Sequence, residues 1–97
     1  MKKLRVAILG SGNIGTDLLI KVQRSEHLEC VYFIGRNRSP PGIQKAISLG
    51  IKTSDESIRA IEKNPDEIDL VFDATSAKDA VEHWNILSKL GKIVVDL

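Results

Sequence analysis

A glycine-rich string near the amino terminus holds the residues whose types and spacing point most clearly to chemistry. It follows the apolar run 6–9, a predicted strand, and reads Gly10-Ser11-Gly12-Asn13-Ile14-Gly15, which fits the pattern G-x-G-x-x-G. In such a string the first glycine permits a tight turn, the second lets the backbone approach a pyrophosphate, and the third lets the next helix pack closely on the strand. The free N–H groups that open the helix then face the anion. We therefore predict a dinucleotide-phosphate site made mostly of backbone; the alternative is a glycine turn without a ligand.

Polar side chains in or beside this string could add to the same site. Ser11 and Asn13 could donate hydrogen bonds to the anion. The Thr16 hydroxyl could reach the same anion or cap the helix locally.

The segment after the second predicted strand decides which dinucleotide fits. An acidic residue roughly 20 residues after the glycines would accept hydrogen bonds from the adenosine ribose, but the chain reads Ile34-Gly35-Arg36-Asn37-Arg38 there. Asn37 could bond a ribose hydroxyl, whereas Arg36 or Arg38 could pair with a 2′-phosphate or stack on adenine. The alternative is a solvated basic loop. We therefore predict NAD as cofactor, with NADP still open and Arg36 among the binding residues.

A second polar segment follows the fourth predicted strand, in the order Phe72-Asp73-Ala74-Thr75-Ser76-Ala77. The carboxyl ends of neighbouring parallel strands border one crevice, so this segment should face the glycine loop. Thr75 and Ser76 could present hydroxyl and N–H groups to a nicotinamide or its ribose. Ser76 with Asp79 also fits an ordinary helix cap. We interpret Asp73 as a structural carboxylate rather than a general base.

The remaining reactive residue types predict no catalytic or metal site. Cys30 lies inside an apolar run and is interpreted as a buried, small hydrophobic residue. His27 and His83 lack a second ligand at metal-binding spacing and are interpreted as surface histidines. We therefore expect no metal site and no catalytic group within these residues.

Short apolar runs alternate with stretches of helical periodicity, which is typical of an α/β fold with a parallel sheet. The predicted strands are Leu4–Leu9, Leu28–Ile34, a weak one near Ile51–Thr53, Asp69–Ala74 and Lys92–Leu97. We expect a Rossmann-type, doubly wound parallel sheet of about five strands, truncated, in the order 3-2-1-4-5.

The predicted helices connect these strands. One carries Ile14, Leu18, Leu19 and Val22 on its apolar face, and a short one spans Ile43–Leu49 before Gly50. Another starts at Ser54, carries Ile58 and Ile61, and closes at Pro65. The last should bury an apolar stripe and end at Gly91; the stripe comprises Ala77, Ala80, Val81, Trp84, Leu87 and Leu90.

Length and composition limit the remaining possibilities. The chain has 97 residues, 14 Lys+Arg and 13 Asp+Glu, for a net charge of +1, and only 4% aromatic residues. This allows one dinucleotide-binding domain over 1–97 and argues against a nucleic-acid partner, which would need clustered basic residues. No apolar run approaches the roughly 18–20 residues of a membrane span, and the single cysteine agrees with a reducing compartment, so we expect a cytoplasmic protein. Because the chain stops in the apolar run Val94-Val95-Asp96-Leu97, we expect a fragment of a longer protein.

Three strings together resemble the amino-terminal part of the acylating acetaldehyde dehydrogenases of aromatic meta-cleavage pathways. They are Val6 to Leu18 with the glycine loop, Asp69 to Ala77 with Asp-Ala-Thr-Ser-Ala, and the closing Val94 to Leu97. The resemblance runs through the whole chain. It implies that Ser11, Gly12, Asn13 and Ile14 form the cofactor loop between Gly10 and Gly15, and that Thr75 and Ser76 border the cofactor.

The resemblance also implies an activity and partners for the full-length protein. Such enzymes oxidise acetaldehyde or a similar short aldehyde with NAD, form a thioester on a cysteine, and pass the acyl group to coenzyme A. Family members associate with a 4-hydroxy-2-oxovalerate aldolase, and we expect a homo-oligomer. The nucleophilic cysteine would lie beyond Leu97, so the isolated chain should catalyse nothing. A stand-alone NAD(P)-binding module and the cofactor domain of a semialdehyde-type dehydrogenase remain the alternatives.

Overall fold

The computed structural model describes residues 2–35 and 41–96. The strands are β1 (Leu4–Leu9), β2 (Leu28–Ile34), β3 (Lys52–Ser54), β4 (Leu70–Asp73) and β5 (Ile93–Asp96). The helices are α1 (Asn13–Arg24), α2 (Pro41–Ser48), α3 (Arg59–Lys63) and α4 (Ala77–Lys89), with a 3-10 turn at Pro65–Glu67. All strand pairs are parallel, and the sheet order is β3-β2-β1-β4-β5. The predicted α/β fold and strand order are therefore confirmed.

The central strand β1 divides the core into two layers, one on each face of the sheet. Val6 to Leu9 have no exposed surface, because β2 and β4 flank them and helices cover both faces. Val6 and Ile8 pack with residues of α1 and α2, including Leu19 and Ile43. On the other face the packed residues include Ala7, Leu9, Ile61, Val71 and Leu87. Side chains alternate between the faces of a strand, so a run that is apolar throughout supplies both layers.

The predicted helix ends at glycines are confirmed. Gly50 (φ +76°) and Gly91 (φ +73°) both adopt the left-handed conformation that ends a helix without a Cβ penalty. The predicted start of the third helix at Ser54 is wrong, since α3 begins at Arg59. Ser54 belongs to β3, its hydroxyl accepts a hydrogen bond from the Glu56 N–H at 3.1 Å, and Ser57 has φ +55°. A turn therefore separates strand and helix.

The buried faces of α1 and α4 agree only in part with the predicted ones. In α1 the predicted Leu19 and Val22 are buried together with Gly15, whereas Ile14 is 64% exposed. In α4 the buried residues are Ala80, His83 and Leu87. The predicted stripe on α4 is therefore only partly correct, because these members are exposed: Ala77, Val81, Trp84 and Leu90. No helix in the described ranges is long and apolar enough to cross a bilayer.

The pair Arg5 and Asp69 joins the start of β1 to the segment before β4. The Arg5 N–H donates to Asp69 Oδ2 at 2.9 Å, and the guanidinium donates to both carboxylate oxygens at 3.1–3.2 Å. The Asp69 N–H donates back to the Arg5 carbonyl at 2.8 Å. These hydrogen bonds from Arg5 hold the pKa of Asp69 below its ordinary value.

We expect the Asp69→Asn variant to melt a few degrees below the wild-type chain at neutral pH, because it loses the carboxylate that Arg5 stabilises. A carboxyl group with a lowered pKa in the folded state stabilises the fold above its unfolded pKa, near 4, and this contribution is lost as the pH falls through the lower, folded pKa. Thermal unfolding should therefore show the two melting temperatures converging below about pH 4. Asp66→Asn, on the exposed turn nearby, is the control and should show no such convergence.

Candidate functional site

A cleft of about 360 Å³ opens at the carboxyl ends of the strands. The loops after β1, β2, β3 and β4 all contribute to its walls. The lining residues are Gly10, Ser11, Ile34, Gly35, Ser57, Thr75, Ser76 and Asp79. The crevice lies where α1 and α4 leave the sheet toward opposite faces, which is the usual ligand position in open parallel sheets.

Gly10 makes the tight turn that the sequence predicts. Its φ is +105°, and a Cβ atom here would lie 2.8 Å from the Ala74 carbonyl oxygen. The Gly10 N–H donates to the Ile34 carbonyl at 2.8 Å. A side chain is therefore excluded twice, by the left-handed backbone and by the adjacent β4–α4 loop.

Gly12 and the start of α1 present an open, electropositive surface. A Cβ atom at Gly12 would meet no atom within 4 Å. The first intrahelical bond joins the Thr16 N–H to the Gly12 carbonyl at 2.9 Å, so the N–H groups of Asn13, Ile14 and Gly15 precede it. The first turn contains no acidic residue, and no side chain caps it. Such a helix start binds anions through its N–H groups and its dipole.

Gly15 permits the close packing that was predicted for it. It is buried, and a Cβ atom at this position would overlap the Gly10 carbonyl and contact the Ile8 side chain at 3.7 Å. Gly42, in the first turn of α2, is packed in a similar way: a Cβ atom there would lie 2.9 Å from the Ser11 carbonyl and overlap the Thr16 hydroxyl. The backbone of the glycine loop therefore packs closely against Gly15 and Gly42, and a side chain at either position would not fit.

The other predicted loop residues take different positions. Ser11 lines the cleft, whereas the side chains of Asn13 and Ile14 are exposed. The Thr16 hydroxyl donates to the Gly12 carbonyl at 2.9 Å, a local bond within the first turn that leaves the helix N–H groups uncapped. The residues predicted to choose between NAD and NADP lie outside the described ranges: Arg36, Asn37 and Arg38.

The β4–α4 turn contains a polar cluster that the sequence analysis missed. Asp73 has no exposed surface, and its Oδ1 accepts hydrogen bonds from the Thr75 N–H at 3.0 Å and from the Thr75 hydroxyl. Its Oδ2 lies 2.8 Å from His83 Nδ1. His83 is only 7% exposed, so its interpretation as a surface histidine is wrong. The predicted structural role of Asp73 agrees with these contacts, but the N–H and hydroxyl proton of Thr75 point to Asp73 rather than to a ligand.

Ser76 both caps α4 and lines the cleft. Its hydroxyl accepts a hydrogen bond from the Asp79 N–H at 3.3 Å, as the cap pattern predicted. Both interpretations of this residue are therefore compatible. Four lining residues were not predicted as site residues: Ile34, Gly35, Ser57 and Asp79. Ser57 reaches the cleft because of the turn between β3 and α3.

The remaining candidates do not contribute to the cleft. Cys30 is buried as predicted, and burial raises the pKa of its thiol to about 12, which makes it a poor nucleophile. His27 is exposed at the opposite edge of the sheet, as expected. Within the described part of the chain, no group of three His, Cys, Asp or Glu residues could hold a metal ion.

The two glycines Gly12 and Gly15 should differ sharply in their tolerance of a methyl group. We expect Gly15→Ala to lower the free energy of unfolding by about 2–3 kcal/mol, because the overlap with the Gly10 carbonyl outweighs the gain in helix propensity. Gly12→Ala should change it by about 1 kcal/mol or less, since the added Cβ meets open space. Urea unfolding of both variants measures this difference, and equal losses would contradict the packing described for Gly15.

The chain is similar in sequence to proteins named acetaldehyde dehydrogenase. The chain is 58% identical over 96 residues to an acetaldehyde dehydrogenase of Spirochaeta aurantia and 54% identical over 96 residues to one of Pectobacterium atrosepticum. Both alignments cover 99% of this chain but only 32% of the relative, so the chain spans about a third of the length of these relatives.

The chain is also similar to a solved structure and matches a family of domains. GenD2 from gentamicin A biosynthesis, in complex with NAD, is similar with a TM-score of 0.85 at 19% identity, over 99% of this chain and 27% of that one. This similarity shows the shared fold. The family described as semialdehyde dehydrogenase, NAD binding domain, matches residues 5–97. The chain therefore belongs to the NAD-binding domain family of the semialdehyde dehydrogenases.

Proposed function

We propose that this chain binds NAD in the cleft, with the pyrophosphate at the start of α1. The open space at Gly12, in front of N–H groups that no side chain caps, is the observation that carries the proposal. A pyrophosphate can approach these groups without meeting a Cβ atom, and the helix dipole stabilises its charge. The volume of the cleft, about 360 Å³, lies within the range of small-molecule sites.

Different walls of the cleft would contact the two halves of the dinucleotide. Ile34 and Gly35, at the end of β2, stand where the adenosine half would lie. Thr75 and Ser76, at the end of β4, stand where the nicotinamide half would lie. When bound, the nicotinamide ring supplies the hydride acceptor. The residues of this chain hold and orient it: the described lining residues offer backbone donors and hydroxyl groups, and Arg36 stays a predicted binding residue.

The Gly12→Val variant should lose at least about tenfold in NADH affinity, because its side chain fills the space in front of the first α1 N–H groups. Its melting temperature should stay within a few degrees of wild type, since the added atoms extend into open space. Titration calorimetry of the 97-residue chain measures the affinity. His27→Val, at the opposite edge of the sheet, is the control. Unchanged NADH affinity in Gly12→Val would show that the pyrophosphate binds elsewhere.

We further propose that the chain is the cofactor-binding portion of an acylating acetaldehyde dehydrogenase. The relatives at 54–58% identity carry the name acetaldehyde dehydrogenase, which supports the oxidation of acetaldehyde or a similar short aldehyde. Cys30 is buried with a raised pKa and stands away from the cleft, so it cannot serve as the thioester-forming residue. We therefore propose that the thioester-forming cysteine lies outside these 97 residues.

An assay of NADH formation by the whole protein tests this proposal. We expect NADH formation only when acetaldehyde, coenzyme A and NAD are all present, with NADP compared in parallel.

Sequencing the reading frame past codon 97 should give about 200 further residues, the size of a second domain, with a cysteine soon after a strand. A stop codon there would leave an NAD-binding module without this chemistry. Turnover by the 97-residue chain alone would contradict the placement of the nucleophile.

The finer details of the proposal follow from the resemblance. We propose a 4-hydroxy-2-oxovalerate aldolase as partner, a homo-oligomeric whole enzyme, a cytoplasmic location and a role in aromatic hydrocarbon catabolism. Copurification of the whole protein with an aldolase of this class tests the first of these.

A further inference from the structure

The buried pair of Asp73 and His83 stands directly behind the wall of the cleft. Asp73 ends β4 and pairs with Leu9 of β1, whereas His83 lies on the inner face of α4. Oδ2 of Asp73 and Nδ1 of His83 are 2.8 Å apart. With the carboxyl group ionised, Nδ1 must be the donor, because a carboxylate has only lone pairs to offer. The His83 proton therefore sits on Nδ1, between the ring and Asp73.

The other carboxylate oxygen determines how Thr75 faces the cleft. Oδ1 of Asp73 accepts both the backbone N–H of Thr75 at 3.0 Å and its hydroxyl proton. Thr75 also lines the cleft. Since the hydroxyl proton is engaged with Asp73, the Thr75 oxygen offers only lone pairs to a bound molecule. A ligand group that meets this oxygen would therefore have to donate a hydrogen bond.

We propose that His83 is a positioning residue for the nicotinamide half of the dinucleotide and acts through Asp73 and Thr75. His83 holds Asp73 in one orientation, Asp73 holds the Thr75 backbone and hydroxyl, and the Thr75 oxygen accepts a hydrogen bond from the nicotinamide carboxamide. This inference rests on the proposed function, because it requires the dinucleotide to lie in the cleft. It assigns no contact between His83 and the ligand.

The test compares two ligands and matched variants of the 97-residue chain. NAD carries the nicotinamide, whereas ADP-ribose carries the same adenosine and pyrophosphate without it. His83→Leu removes the donor to Asp73, and His83→Asn places an amide N–H near the position of Nδ1. Thr75→Val removes the hydroxyl but keeps the side-chain shape, and it decides the test if His83→Leu fails to fold. Titration calorimetry gives the dissociation constants, and thermal unfolding reports the stability of each variant.

We expect His83→Leu and Thr75→Val to weaken NAD binding about three- to tenfold and ADP-ribose binding less than about twofold. His83→Asn should keep both constants within about twofold of wild type. A merely structural role would lower both affinities together, and that result would overturn the inference, as would unchanged NAD affinity in either of the first two variants. Failure of the wild-type chain to bind either ligand would overturn the proposed function itself.

Discussion

The close approach of Gly10 to the Ala74 backbone is the constraint on which the rest of the structure depends. Gly10 donates to Ile34 and Ala74 donates to Leu9, both at 2.8 Å, so the ends of three strands meet at one point. A Cβ atom at Gly10 would lie 2.8 Å from the Ala74 oxygen and force them apart. Because the helices after β1 and β4 then leave toward opposite faces, a crevice must open between them. The cleft is a consequence of this sheet topology and needs no dedicated pocket-forming element.

The parts of the fold that the sequence predicts are those governed by local sterics and by continuous burial. The strands other than β3 follow from apolar runs. For the central strand β1 the reason is burial on both faces, which leaves no place for alternating polar residues. Gly10, Gly50 and Gly91 have positive φ where the sequence predicts turns, because a side chain is strained there in any context. Backbone chemistry dominates the glycine loop too, so residue type and spacing were sufficient to locate it.

Apart from the start of the third helix, the predictions that failed concern which face of a helix is buried, and local patterns do not decide this. In α4 the stripe through Trp84 and the stripe through His83 differ by one residue, or about a quarter turn. Hydrophobicity predicts that Trp84 is buried, yet this side chain is 57% exposed. The alternation of side chains along β4 could have predicted the buried face of α4. Val71 faces α4, so Asp73, two residues further along the strand, faces it as well. A buried carboxylate needs donors, and His83 is the residue on that helix that supplies one.

The buried carboxylate of Asp73 and the proposed anion at Gly12 would lie at the same end of the sheet. An isolated buried carboxylate is strongly destabilising, but Asp73 is bonded by the Thr75 N–H, the Thr75 hydroxyl and His83. The pleat directs it toward α4, whereas the start of α1 lies with the packing layer on the opposite face. An anion bound at Gly12 would therefore be stabilised by a donor set separate from that of the carboxylate. The donors of Asp73 also hold the wall of the cleft, so the bonds that offset its burial are the ones that shape the cleft.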